Sequence, residues 1–257
     1  MANQINIVDF GADPTGAADS FPAIMAAIAQ ANQSGGGTVH FGRGLFRISQ
    51  SIVVGDGSDA QVSTRDHRIR LVGEGFGSHD GQDFVQQRGA TEILYDGPAD
   101  REAAVVTLAG PLHAVGVEHM MLNCNGKAGM GLLVNHVADG LFTAVMSKAY
   151  TKTAYVLTTR SQFPPACTYG CGNNVFLHCY GVQPAHADAQ GIMLTSGVSS
   201  AKSLTGQPDA ANNDFIGGIF FYGGSALSSG IYLNGADNNT FQGCLLYTSD
   251  AADDLLC

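Results

Sequence analysis

Two short patterns recur through the second half of this 257-residue chain, and they constrain its fold more than any other feature. One reads Gly131-Leu132-Leu133-Val134, Ala154-Tyr155-Val156-Leu157, Gly191-Ile192-Met193-Leu194 and Gly230-Ile231-Tyr232-Leu233. The other reads Asn173-Asn174-Val175-Phe176, Asn212-Asn213-Asp214-Phe215 and Asn238-Asn239-Thr240-Phe241. Copies of the first lie 23, 37 and 39 residues apart. Periods in this range belong to solenoids, where each copy buries its apolar face only against its neighbours.

The uneven spacing has a single source. From the first pattern to the second takes 19 residues after Ala154 and 21 after Gly191, but 8 after Gly230. Residues 158–172 and 196–211 are therefore expected to be extra loops that stack into a wall along one rim. A leucine-rich repeat has a similar period, and Val117, Met120, Leu122 and Asn125 can be forced onto it, but the later copies keep glycine and paired asparagine. Asparagine pairs suit tight turns, because asparagine tolerates left-handed backbone and can bond to the copy stacked above it. Upstream, Ile69 to Val72, Glu92 to Tyr95, Ala104 to Leu108 and Val115 to Leu122 read as β segments between turns.

The first fifty residues supply an end plug. Ser20 is placed to cap a helix with Pro22 in its first turn, where a missing N–H costs nothing. Phe21, Ile24, Met25 and Ile28 share one helical face before Gly35, Gly36 and Gly37 end it. Around this helix stand Asp9-Phe10-Gly11-Ala12-Asp13-Pro14-Thr15-Gly16, Asp19-Ser20, Gly35-Gly36-Gly37-Thr38-Val39-His40-Phe41 and Gly44-Leu45-Phe46-Arg47-Ile48. That order resembles the opening of the pectate-lyase-like superfamily, in particular its rhamnogalacturonase and epimerase-like branch. The resemblance is tightest over residues 5–48 and implies an all-β fold, a right-handed single-stranded parallel β-helix with an N-terminal capping α-helix. It also implies a protein that handles polysaccharide, as a lyase or glycoside hydrolase, with a non-catalytic structural or receptor-binding β-helix of the phage tail-spike kind as the rival.

At the other end, Cys244-Leu245-Leu246-Tyr247-Thr248-Ser249-Asp250-Ala251-Ala252-Asp253-Asp254 resembles a translated transposon-type sequencing adaptor. Residues 1–243 are accordingly expected to form an incomplete β-helix domain, cut mid-repeat, and 244–257 a non-native tail. The start, Met1-Ala2-Asn3-Gln4, has neither a basic leader nor an apolar run, and no stretch is apolar for long enough to span a bilayer. An extracellular or virion-associated place is expected, with a homotrimer if the protein is a tail spike.

Composition agrees with a coil of many turns. Glycine makes up 34 of 257 residues and charged residues only 13 %, against averages of about 7 % and about 25 %. The formal charge is -10, and Asp250, Asp253 and Asp254 of the tail carry three of those charges. An acidic, lysine-poor surface repels phosphate backbones, so nucleic acid is not an expected partner. Calcium bridging two sets of carboxylates is compatible with the charge, yet no motif supports it, and no cofactor is expected. Cys167, Cys171, Cys179 and His178 have an unusual spacing for zinc, and buried thiols or a loop disulfide fit them better.

In polygalacturonase relatives the catalytic carboxylates stand just before the glycine-led strand in successive coils. The matching positions here are Gly129-Met130, Lys152-Thr153, Asp188-Ala189-Gln190 and Ser228-Ser229. Glycosidic hydrolysis needs two carboxyl groups facing one sugar, and these positions offer one, Asp188. The Gly-His-Gly and Arg-x-Lys motifs of polygalacturonases and the Asp-Pro-His motif of alginate epimerases are missing from this sequence. A lyase needs a base and a cation to neutralise a uronate, roles open to His186, Lys152 and Arg160. Asp188, His186 and Lys152 are thus the catalytic candidates; Gln190, Arg160 and Tyr169, the last for stacking on a sugar ring, are the substrate-binding ones. The plain alternative for Pro184-Ala185-His186-Ala187-Asp188 is a solvated turn.

Overall fold

The computed structural model describes residues 4–57, 67–76, 90–159, 170–196 and 210–248. Among these residues the chain is a parallel β-helix. A six-stranded sheet runs in the order Ile231–Asn234, Gln190–Thr195, Thr153–Thr158, Ala128–Ala138, Asp100–His113 and Ile52–Val54, and a fourteen-stranded sheet wraps the remaining sides. Each step across the six-stranded sheet is one coil further along the chain, and the pairing is parallel throughout.

Single left-handed residues make the corners. Ala114, Asp139, Asn173, Asn212 and Asn238 form one column; His119, Ala144, His178, Gly217 and Gly243 a second; Asn125, Ala149 and Gln183 a third, all with φ between 50° and 64°. At a non-glycine residue such backbone costs roughly 1–2 kcal/mol. Stacking offsets this through the asparagine that follows each of Asn173, Asn212 and Asn238. The Asn174 amide donates to Val137 O at 3.0 Å and Asn213 Oδ1 at 2.9 Å, and the Asn213 amide to Cys171 O at 3.0 Å and Asn239 Oδ1 at 2.9 Å. Their side-chain oxygens accept in turn from Gly140 N and Asn174 N. Each amide thus ties the coil before it to the coil after it, as the paired asparagines suggest.

Inside, the repeats become ladders. Val54, Leu108, Val134, Leu157, Leu194 and Leu233 lie in register, and Phe142, Phe176, Phe215 and Phe241 stack at 4.4, 4.4 and 5.0 Å between ring centroids. Burying each such side chain contributes about 1.5–3 kcal/mol. Leu194 is fully buried, whereas Leu233 in the last described strand of its sheet is 51 % exposed.

The helix Phe21–Gln33 covers the first coil with Ala23, Ile24, Ala27, Ile28 and Ala31 buried. Its start differs from expectation. Ser20 makes no side-chain cap; it is buried, and its hydroxyl accepts from Asp13 N at 3.0 Å. Asp19 takes over, accepting from Phe21 N at 3.1 Å and from Ser49 N and Oγ at 3.1 and 2.6 Å. The carboxylate accepts from all three donors, at the helix end and on the next coil, whereas a hydroxyl has two acceptor sites. The strand read as Ala104 to Leu108 is also longer, Asp100–His113, because pairing with Ala128–Ala138 starts at Asp100. Beyond Gly243, Leu245–Thr248 pairs in register with Ile219–Tyr222.

Candidate functional site

The glycine-led strands begin at one rim, and backbone hydrogen bonds set the coils there in register. Asp100 N bonds to Lys127 O, Lys152 N to Gly129 O, Gln190 N to Lys152 O and Gly191 N to Ser229 O, at 2.7–3.0 Å. Gly129 is required for this approach, since a Cβ there would run into the carbonyl oxygen of Arg101.

Three of the expected residues meet at this rim, with two that sequence reasoning missed. Arg101 Nη2 donates to Asp188 Oδ1 at 2.8 Å, and Arg101 Nη1 stands 3.4 Å from His186 Nε2. His186 Nδ1 lies against Asp188 Oδ1. With its proton on Nδ1 a neutral His186 donates to the carboxylate and turns its Nε2 lone pair toward the guanidinium; with the proton on Nε2, Nδ1 accepts from Asp188 N at 3.4 Å. Lys152 Nζ lies 2.6 Å from both carboxylate oxygens of Glu102. The Arg101 hydrogen bond, aided by the Arg101 charge and by His186, holds the Asp188 carboxyl below its ordinary range. Asp188 is therefore a carboxylate at neutral pH, an acceptor and orienting group rather than a general acid.

Gln190 is nearly buried, its amide donating to Leu227 O at 2.7 Å and its carbonyl accepting from Ser229. Arg160 and Tyr169 lie outside the described residues. Arg101 and Glu102 had a signal in the chain. They stand at the start of the strand Asp100–His113, just before its buried stretch from Ala104, two coils before Lys152 and in the column that Lys152 and Asp188 continue.

Beside the rim, the outer face of the six-stranded sheet forms an apolar floor. Val53, Thr107, Leu133, Val156, Met193 and Tyr232 share one outward register. Leu133, Val156 and Met193 cluster with Ala104 and Met130, apart from the main core. Tyr232 is 41 % exposed, while Tyr155 is buried. Cys124, Cys171 and Cys179 are buried free thiols, and burial pushes Cys171 up to about 11 and Cys179 up to about 12. Among the described residues no group of three or more His, Cys, Asp or Glu could hold a metal ion.

The family model described as rhamnogalacturonase A/epimerase, pectate lyase-like, matches residues 4–96. That segment is similar to this family, and the described residues beyond it continue the same parallel β-helix. Mannuronan C5-epimerase AlgE3 of Azotobacter vinelandii is 43 % identical over 76 residues, 30 % of this chain and 4 % of that protein. Alginate lyase 7 of the same organism is 38 % identical over 74 residues, 29 % of this chain and 8 % of that protein. The chain thus spans under a tenth of the curated relatives it matches. Among solved structures, Geobacillus virus E2 ORF18 gives a TM-score of 0.64 at 19 % identity, over 94 % of this chain and 41 % of that one. A putative glycosyl hydrolase from Parabacteroides merdae gives 0.61 at 11 % identity, over 95 % and 96 %. Likeness at this identity establishes the fold. The family match covers the cap and first coils of the β-helix and ends before Arg101, so the rim lies wholly outside it.

Proposed function

We propose that this pectate-lyase-like β-helix binds an extended, carboxylate-bearing polysaccharide across the rim and cleaves it by β-elimination. The observation that carries the reading is the Arg101–Asp188–His186 cluster, a cation and an oriented imidazole in one exposed position beside an apolar floor. Elimination needs a base to take the proton at C5; the C4–O bond then breaks, its electron pair leaves with the oxygen, which takes a proton from solvent to become the free hydroxyl, and a C4=C5 double bond forms. Arg101 neutralises the sugar carboxylate, which acidifies C5, and His186 Nε2, released as Arg101 turns to the ligand, accepts the proton. Asp188 holds the imidazole and stabilises its charged form. Hydrolysis fits less well, since it needs one carboxyl group kept protonated and Asp188 is held ionised.

The rival reading is a binding-only β-helix on a virion or cell surface, with trimerisation outside this segment. It is favoured by the way the rim cations pair with the chain's own carboxylates, Arg101 with Asp188 and Lys152 with Glu102. Both readings place the protein outside the cell. No helix among the described residues is long and apolar enough to cross a membrane. Incubation with polygalacturonate and alginate, read by the ultraviolet absorbance of the unsaturated product, tests the lyase. Turnover that falls at least ~100-fold in Arg101→Ala and in His186→Ala supports it. Binding without turnover in the wild type gives the rival reading, and absorbance growth unaffected by either substitution removes the rim as the site.

A further inference from the structure

We infer that Glu102 is an internal stand-in for the ligand carboxylate, occupying Lys152 until a carboxylated sugar displaces it, and so sets the threshold of binding. The inference rests on the rim being the binding site. The Lys152–Glu102 pair is lopsided. The Lys152 side chain is 26 % exposed and rises from a strand start pinned between Gly129 and Gln190 by backbone hydrogen bonds. The Glu102 side chain is 75 % exposed. The cation is held in place while its acid partner stands in water, already hydrated on most of its surface and able to leave at little cost, since an exposed pair contributes little.

Both Glu102 oxygens lie 2.6 Å from Lys152 Nζ. A uronate carboxylate offers the same two oxygens in the same geometry and adds contacts that Glu102 lacks, a ring against the apolar floor and linked sugars on neighbouring coils. Neutral sugars offer nothing to Lys152 and leave the internal pair intact. Arg101 is different, because its partner Asp188 also holds His186 and stays with that imidazole when Arg101 turns to the ligand, whereas the Glu102 carboxylate has no second partner to serve among the described residues. Lys152 is therefore the residue that selects a carboxylated sugar, and Glu102 sets the threshold such a sugar must overcome.

The test is counterintuitive, because removing an ion pair is expected to strengthen binding. Glu102→Gln keeps the size of the side chain and frees Lys152. Affinity for polygalacturonate or alginate, measured by calorimetry at low salt, should rise roughly 2- to 5-fold, with no change for neutral dextran. Glu74→Gln removes one negative charge at the His40 pair, away from the rim, and should give no gain. The gain should disappear when Lys152→Ala is added. Equal or weaker polyuronate binding by Glu102→Gln, or an equal gain in Glu74→Gln, overturns the inference alone. If neither wild type nor variant binds any polyuronate, it falls together with the rim reading.

Discussion

The asparagine corner and the charged rim stand at opposite ends of the same strands and use identical backbone stacking, yet they differ in what each coil contributes. At the corner the residue repeats: Asn174, Asn213 and Asn239 make the same bonds coil after coil, and Phe176, Phe215 and Phe241 follow them inside. At the rim the residue changes every time, from Glu102 to Gly129 to Lys152 to Asp188. Repetition serves the neighbouring coil, because each member is both partner and scaffold. Variety serves something outside the coil, because stacking does not ask for it.

The hardest way to break this contrast is to remove a repeated residue. Phe215→Ala takes a fully buried ring from between two stacked rings and should cost about 3–5 kcal/mol, read as a lower midpoint in urea. Asn213→Leu is expected to come next, at about 2–4 kcal/mol, because it strands Asn174 N–H and the Cys171 carbonyl in a dry corner. Against these, Arg101→Ala should change stability by less than about 1 kcal/mol, since both partners of its pair are solvent-screened, while it removes binding. A rim substitution as damaging to folding as Asn213→Leu would erase the distinction.

Acid sharpens the comparison further. The corner amides do not titrate, but Asp13 accepts from Ala18 N, Thr15 Oγ1 and Thr15 N, and those bonds lower it from 3.8 to about 2. A depressed carboxyl stabilises fully above its unfolded value and loses that contribution as pH falls through the folded one. The melting temperature should therefore decline between pH 3.8 and about 2, and Asp13→Asn should flatten that part of the profile while lowering the neutral-pH value.

Much of the corner was readable in the chain because its signals are local and periodic: paired asparagines, a phenylalanine three residues on, glycine-led apolar strands. The helix face was equally plain in Ile24 and Ile28. What escaped detection depended on distance. Arg101 meets Asp188 across 87 residues, and the strand holding it begins at Asp100, in charged sequence that reads as loop until Ala128 pairs with it. The Ser20 cap failed for the same reason, since Ser49 of the next coil competes for the first turn through Asp19.

The left-handed corners also act as a ruler. From the first column to the second the chain always advances five residues: Ala114 to His119, Asp139 to Ala144, Asn173 to His178, Asn212 to Gly217 and Asn238 to Gly243. Between the third column and the first no such count is kept, and Ala149 to Asn173 is far longer than Asn125 to Asp139. One side of the coil is free to grow while the others stay metered. New loops grafted after Thr158 or Thr195 would leave the frame unaltered, so the grip of this scaffold can be re-engineered along one face without renegotiating its fold.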